Sequence, residues 1–317
     1  MHILITGGLG FLGRLLTRAL LAEGHLVSVV DRDGPADEPG SIAWRGDVGD
    51  AELLARAIGG GADAVVHLAA MVSAECEADF DGAWRVNVEG TRAALEACRH
   101  APGRPRFVFS SSVAVFGGPD VGGDRAAVSD STKQTPASTY GMTKALGELA
   151  VNDYTRKGYI DGVTARLPTV IVRPGVPNAA ASSFASGMFR EPLRGVPSVI
   201  PVAPDTPVCV IGYRAAVANL SRLATVPAAT LARLGLDRAV GLPGLELDVT
   251  EMAAALRRVA DRRGIPLGAL DVRPDPAIEA VVGSWPGRWR AERAAALGLV
   301  ADRSIEDVIE EYLADFG

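Results

Sequence analysis

Tyr140 and Lys144 frame the segment Tyr140-Gly141-Met142-Thr143-Lys144 at the start of a predicted helix, which sets the phenol and the amine one turn apart on the same face. A pair held in this way can move a proton. A free tyrosine titrates near pH 10, so work at neutral pH asks for a downward shift of about three units, roughly 4 kcal/mol of differential stabilisation. Lys144 is placed to supply part of it as a neighbouring positive charge. Upstream, Phe107-Val108-Phe109-Ser110-Ser111-Ser112 reads as a buried strand that ends in hydroxyls. Two ordinary surface residues on a helix show the same Tyr–Lys spacing by chance, and it is this company that makes the pattern specific.

A second group of residues supplies a place for a cofactor. Thr6-Gly7-Gly8-Leu9-Gly10-Phe11-Leu12-Gly13 follows the first apolar run and opens the first helix, and it satisfies GxxGxxG through Gly7, Gly10 and Gly13 as well as GxGxxG through Gly8. A tight turn, a side-chain-free approach and the free amides of a helix N-terminus are what a pyrophosphate needs. Asp31 ends the second strand, where a dinucleotide site places an acid on the adenosine ribose. Its carboxylate would repel a 2′-phosphate, which argues for NAD over NADP. Arg14 and Arg32 argue the other way, since either could pair with that phosphate.

These groups require a frame of parallel strands. From Met1 to about Arg173, the short apolar runs Ile3–Ile5, Leu26–Val30, Ala64–Leu68, Phe107–Phe109 and Gly162–Leu167 alternate with helical segments at Phe11–Glu23, Asp50–Ile58, Phe80–His100 and Thr139–Arg156. Such alternation predicts a Rossmann-like, doubly wound parallel α/β sheet covered on both faces. After Pro174 the sequence turns rich in Pro, Ser, Ala and Gly, with a short helix around Phe184–Arg190. Helices at Tyr213–Ala224, Thr250–Arg262 and Ser304–Ala314 follow, with a strand at Ala239–Leu242. The expected organisation is a NAD-binding domain over 1–173 with a returning segment at about 205–243, and a smaller mixed α/β substrate lobe over 174–204 and 244–317.

Composition removes several classes of function. The 317 residues carry a net charge of −6 without any basic run, so nucleic acid is not an expected partner. No apolar stretch reaches the roughly 20 residues that span a bilayer, and the first residues lack the charged start and cleavage site of a signal peptide. A cytoplasmic address and no membrane partner are expected. Cys76, Cys98 and Cys209 show no paired spacing, which points to core residues in a reducing compartment and to no metal site.

Taken in order, TGGLGFLG, GDVGD, HLAA, NVEGT, FSSSVAVFG and YGMTK resemble the extended short-chain dehydrogenase/reductase family of the NAD-dependent epimerase/dehydratase type, over about the first 175 residues. The resemblance implies that Ser112 hydrogen-bonds the reacting oxygen, with Ser111 as the alternative. It makes Tyr140 the general acid/base and Lys144 the residue that lowers its pKa and holds the nicotinamide ribose. By the same likeness Asp47 and Val48 flank the adenine, Leu68, Ala69 and Ala70 line the pyrophosphate path, Asn87 orients the nicotinamide half, and Pro168 lies against the nicotinamide. The family often forms homodimers through the two helices at Phe80–His100 and Thr139–Arg156, and a homodimer is expected here on that ground.

Departures from the family pattern narrow the substrate. Members that act on nucleotide-diphosphate sugars usually carry an Asn where this chain has Thr169, and a Val-Asp-Asp-Val segment where it reads Tyr213-Arg214-Ala215-Ala216-Val217. The run from Val172 to Pro192, with Ser284-Trp285-Pro286-Gly287 and Ala295–Leu299, instead resembles the D-erythronate dehydrogenase branch. That likeness implies oxidation of a small sugar acid at C2 to the 2-oxo acid, with NAD as cofactor. Asn178, Ser182 and Ser183 are candidates for the substrate hydroxyls and Ser73 for the end nearest the nicotinamide. Arg173 has two readings, a clamp on the carboxylate or a structural salt bridge beneath the loop. The alternatives are a nucleotide-sugar epimerase or dehydratase of the same fold and a non-catalytic NAD sensor, against which the intact Ser112, Tyr140 and Lys144 set argues.

Overall fold

The computed structural model describes residues 1–34, 38–118, 127–175 and 180–317. Its frame is a seven-stranded sheet built from β1 (His2–Thr6), β2 (Leu26–Asp31), β3 (Ile42–Arg45), β4 (Ala64–His67), β5 (Arg106–Ser112) and two later strands. After the short β6 (Val128–Ser129) come β7 (Asp161–Leu167), β8 (Thr169–Ile171), β9 (Ser198–Ile200), β10 (Pro207–Gly212), β11 (Ala239–Gly241), β12 (Leu245–Asp248), β13 (Leu270–Val272) and β14 (Trp289–Arg290). The order across the sheet is β11-β7-β5-β4-β1-β2-β3, and every pair is parallel. Strand order therefore reverses between β1 and β4, the crevice outside whose carboxyl ends is where such sheets hold ligands.

The sheet is covered on both faces, as its near-continuous apolar strands require. On one side α1 (Phe11–Ala22) packs with a returning helix; on the other lie α2 (Ala51–Gly59), α5 (Gly90–His100) and α6 (Thr139–Arg156). The segment predicted as one helix over Phe80–His100 is built in three parts. Between α4 (Phe80–Ala83) and α5 the residues Trp84–Glu89 form a π-helical turn, which widens the helix where Asn87 points inward. The short α3 (Ser73–Ala78) and the edge strand β3 carry no strong apolar period, and the sequence reading passes over both.

Beyond β8 the chain builds a second core. Here α7 (Ser183–Arg190), α10 (Val249–Arg263) and α13 (Ile305–Phe316) bury Phe189, Met252, Leu256, Ile309 and Tyr312 together. Between them α8 (Tyr213–Thr225) returns beneath the large sheet, α9 (Ala228–Ala232) leads into β11, and α11 (Pro276–Val282) and α12 (Ala294–Leu297) close the end of the chain. The strands β12-β10-β8 form a three-stranded sheet that joins the two cores, with Pro168 alone separating the end of β7 from the start of β8.

Candidate active site

The reactive residues owe their meeting to how closely α6 lies on β5. A Cβ added at Gly141 would fall 2.0 Å from the Ala114 carbonyl, and one at Gly147 would fall 2.3 Å from the Phe109 ring, so only glycine admits this approach. The helix starts cleanly because Ser138 caps it, its Oγ accepting from the Gly141 N–H at 3.1 Å. Lys144 is thereby carried into the interior. Its Nζ donates to the Ser110 carbonyl at 2.8 Å and stands 5.1 Å from the Phe109 ring centre and 5.6 Å from that of Tyr140.

Burial dominates the electrostatics of both groups. It drives the Lys144 amine down to about 8, while Cys76 and Glu148 pull it back up. It pushes the Tyr140 phenol up to about 12, opposed by a hydrogen bond with Ser112 and by the positive charge of Arg173. Strand alternation separates the serines. Ser111 Oγ donates to Glu148 Oε1 at 2.5 Å, inside a buried network in which Arg166 Nη2 meets Glu148 Oε2 at 2.7 Å. Ser112 is the hydroxyl that reaches Tyr140, and it also caps the turn at Val113–Val115 by accepting from the Ala114 N–H at 3.1 Å. Ser111 also lines the smaller cavity described next, with its hydroxyl given to Glu148.

Next to this set the switch point of the sheet opens as two cavities of about 380 Å³ and about 540 Å³ that share Gly7, Gly10 and Leu68. The helix N-terminus at Gly10 has no side-chain cap, which leaves the first amides of α1, at Phe11, Leu12 and Gly13, directed at the cleft. Gly13 cannot carry a side chain, since its Cβ would meet the Gly7 carbonyl at 2.3 Å. The turn is tied to the second strand by the Leu9 N–H, which donates to Asp31 Oδ2 at 2.9 Å. Asp47, Val48, Ala69 and Ala70 line the larger cavity with Asp31; Phe11, Leu12, Ser73, Ser112, Tyr140, Pro168, Ser182 and Ser183 line the smaller. A turn built to admit anionic backbone and an acid at the ribose position fit a dinucleotide.

The two ends of the cleft carry opposite charge. Asp31, Asp33, Asp47, Glu75 and Asp79 surround the larger cavity against Arg32 and Arg85. Both arginines that could have welcomed a 2′-phosphate are engaged, Arg14 with Glu38 at 2.6 Å and Arg32 with Asp33 at 2.8 Å. The smaller cavity is lined by Arg173 and Arg190 and, among the described residues, by no carboxylate at all. The two ends thus suit ligand groups of different charge.

Asn87 lines neither cavity: its Oδ1 accepts from the Met71 N–H at 2.8 Å and its Nδ2 donates to Thr143 Oγ1 at 3.1 Å, so it ties the loop after β4 to α6. Asn178 lies outside the described residues. Ser73 Oγ accepts from the Ala181 N–H at 3.1 Å, joining the cofactor side to the start of α7. Ser186, Arg190 and Trp285 also line the cavity and were not expected. Their signal for α7 was present as the i, i+3, i+7 spacing of Ser183, Ser186 and Arg190, which sets one polar edge on a short helix.

Among the described residues there is no cluster of His, Cys, Asp and Glu able to hold a metal, and no helix long and apolar enough to cross a membrane. The chain is 46% identical to D-erythronate dehydrogenase of Cupriavidus necator over 100% of its own length and 99% of that protein's. It is 37% identical to D-erythronate dehydrogenase of Haemophilus influenzae, with 99% of each chain covered. A crystal structure described as a nucleoside-diphosphate-sugar epimerase from Agrobacterium tumefaciens superposes with a TM-score of 0.90 at 36% identity, covering 100% of this chain and 94% of that one. The model of the NAD dependent epimerase/dehydratase family matches residues 3–203. With the uncapped glycine turn and the Ser112, Tyr140 and Lys144 cluster inside that span, the chain belongs to the NAD dependent epimerase/dehydratase family.

Proposed function

We propose that this chain oxidises a short sugar acid, D-erythronate first, at C2 to the 2-oxo acid with NAD. The observation that carries the reading is the smaller cavity, where Ser112 and Tyr140 face arginines and serines with no carboxylate among the described residues of the lining. Such a pocket suits a small, anionic, hydroxylated molecule. The full-length likeness to two D-erythronate dehydrogenases supports the same substrate.

The amides of Phe11, Leu12 and Gly13 would hold the pyrophosphate of NAD, Asp31 its adenosine ribose, Asp47 and Val48 the adenine, and Leu68, Ala69, Ala70 and Pro168 the path to the nicotinamide. Bound there, NAD supplies the hydride acceptor and a positive ring. Ser112 holds the substrate hydroxyl, and Tyr140 takes its proton as the C2 hydrogen leaves with its electron pair. The C–O bond becomes a carbonyl, and the proton rests on the phenol. Lys144 works through charge, keeping the phenolate form of Tyr140 within reach, and binds the nicotinamide ribose. Ser73, Ser182 and Ser183 offer hydroxyls to the remaining polyol.

The direct test is formation of NADH at 340 nm when the purified protein meets C4 to C6 aldonic acids. D-Erythronate with NAD is expected to give the fastest turnover, and NADP to give little. The description of the Agrobacterium structure favours a second reading, a nucleotide-sugar epimerase, but Thr169 lines the cavity where sugar-nucleotide members usually carry Asn. Conversion of a UDP-sugar to its epimer, with no NADH from any aldonate, would establish that alternative.

The partner we propose is a second copy of the chain. Phe80 and Trp84 on the helix through the π turn and Leu149 on α6 are 55%, 40% and 60% exposed, an apolar face that the family's four-helix contact would cover. Leu149→Glu is expected to convert dimers to monomers in sedimentation analysis, and a wild-type protein that sediments as a monomer would refute the assignment. We place the enzyme in the cytoplasm, where the buried free thiols Cys76, Cys98 and Cys209 stay reduced; fractionation of host cells tests this.

A further inference from the structure

Arg173 is a charged side chain of the cleft that forms no ion pair among the described residues. Its backbone is fixed twice to α7, its N–H donating to Ser186 Oγ at 3.1 Å and its carbonyl accepting from Arg190 Nη1 at 2.8 Å. The root of the side chain is therefore held. The guanidinium itself makes no hydrogen bond or ion pair among the described residues, although it lines the cavity beside Tyr140, Ser182 and Ser183. This removes the structural-salt-bridge reading that the sequence left open.

Arg190 shows what a satisfied arginine in the same place looks like. It is 2% exposed, its Nη2 meets Glu191 Oε1 at 2.5 Å, and its Nη1 is used on the Arg173 carbonyl. Arg190 is a prop, and its charge is largely answered. For Arg173, burial first and then Arg190 hold the pKa below the usual arginine value. A guanidinium does not shed its proton in proteins, so an anion in the cavity is the partner that best offsets its desolvation. The charge of Arg173 also reaches the reacting oxygen, since it pulls the Tyr140 phenol downward.

An anion at Arg173 and a hydroxyl at Ser112 and Tyr140 occupy one small cavity. A 2-hydroxy acid carries its carboxylate directly on the carbon that bears the reacting hydroxyl. We propose that Arg173 is the specificity-determining residue of this site, taking the substrate carboxylate through parallel N–H bonds and so presenting C2, rather than a more distant hydroxyl carbon, to Tyr140. The proposal rests on the sugar-acid reading and deepens it. Planar two-point contact is the property that arginine has and lysine lacks.

The test compares D-erythronate with its neutral C1 amide on the NAD-loaded wild-type, Arg173→Gln and Arg173→Lys proteins. In Arg173→Gln, kcat/KM for the acid is expected to fall by about 10²-fold more than that for the amide, the excess appearing chiefly in KM, since any loss through the charge on Tyr140 is common to both substrates. Arg173→Lys should fall between, because an ammonium restores the charge without the fork. NAD affinity, read by protein fluorescence, should stay unchanged in both. Equal losses on acid and amide would assign Arg173 a structural part, and no loss on the acid would remove it from the site; either overturns the proposal. If the wild-type protein oxidises no aldonate, the sugar-acid reading fails by itself. Calorimetric titration of the NAD-loaded proteins with glycolate then decides on the clamp: saturable binding lost in Arg173→Gln supports it, and equal or absent binding in both overturns it.

Discussion

Replacing Tyr140 by Phe is expected to cut turnover on D-erythronate by about 10²- to 10⁴-fold while NAD binding stays within about twofold. The substitution deletes one oxygen and keeps the ring that packs beside Lys144, so the fold of α6 on β5 is not disturbed. What disappears is the acceptor for the hydroxyl proton. Burial pushes that phenol up to about 12, and every group that faces it bears on how far it comes back down. Among the described residues, a hydrogen bond with Ser112 from the end of β5 and the positive charge of Arg173 from beyond β8 draw it down, Lys144 lies along the same helix, and Cys76 of α3 opposes.

The sign of the pH dependence follows from the chemistry. Oxidation uses the phenolate, so the rate rises with pH through the kinetic pKa of Tyr140 and levels above it. A profile of kcat/KM against pH should show this limb in the wild-type protein, and Tyr140→Phe should lack it. A variant that keeps both near-normal turnover and the rising limb would place the base elsewhere.

How much of this was legible in the sequence depended on whether a residue's role is local. Gly7, Gly10 and Gly13 declare themselves because turn, helix start and close packing all lie within one short segment. Tyr140 and Lys144 do so because a helix fixes their relation without help from the rest of the chain. The ends of β5 show the limit. Ser110, Ser111 and Ser112 are equivalent as letters and all three line the smaller cavity, and it takes Glu148 on α6 to show which hydroxyl is engaged from behind. Arg190 and Ser186 were hidden because α7 meets the cavity through tertiary packing, on a helix too short to show a long period. The edge strand β3 was hidden for a related reason: Ile42 is exposed and its neighbours half-buried, so no apolar run marks it.

The same physics explains why the cleft has two characters. Acids cluster where the adenosine half would lie and arginines where the substrate would, although the chain as a whole is acidic. Net charge therefore says nothing of the substrate's sign. The local field is set by Arg173 and by Lys144, both held against the cost of burial. Sites that keep such groups give up stability for function.

Lys144→Met is expected to measure that cost, by raising stability while abolishing useful activity. Lys144 is 3% exposed, and burial takes its amine from an ordinary 10.5 down to about 8. At about 1.4 kcal/mol per unit, holding the charged form costs the fold roughly 3 kcal/mol. Met fills nearly the same volume without charge, though it strips the Ser110 carbonyl of a donor at a cost of about 1 kcal/mol. The net gain is on the order of 2 kcal/mol, a few degrees in the thermal midpoint of a chain this size. Its pH dependence is fixed in sign. The folded pKa lies below the unfolded one, so the penalty in the wild-type protein is fully present below pH of about 8 and fades as pH rises from there toward 10.5. Thermal scans without added NAD should therefore show Lys144→Met above the wild type at pH 7 and the two converging toward pH 10. Turnover should fall together with NAD affinity, since the proposed function gives the amine a part toward both Tyr140 and the nicotinamide ribose. A variant less stable than wild type at pH 7, or a gain that ignores pH, would mean that the buried ammonium is fully compensated by its hydrogen bond to Ser110 and that the site carries no such cost.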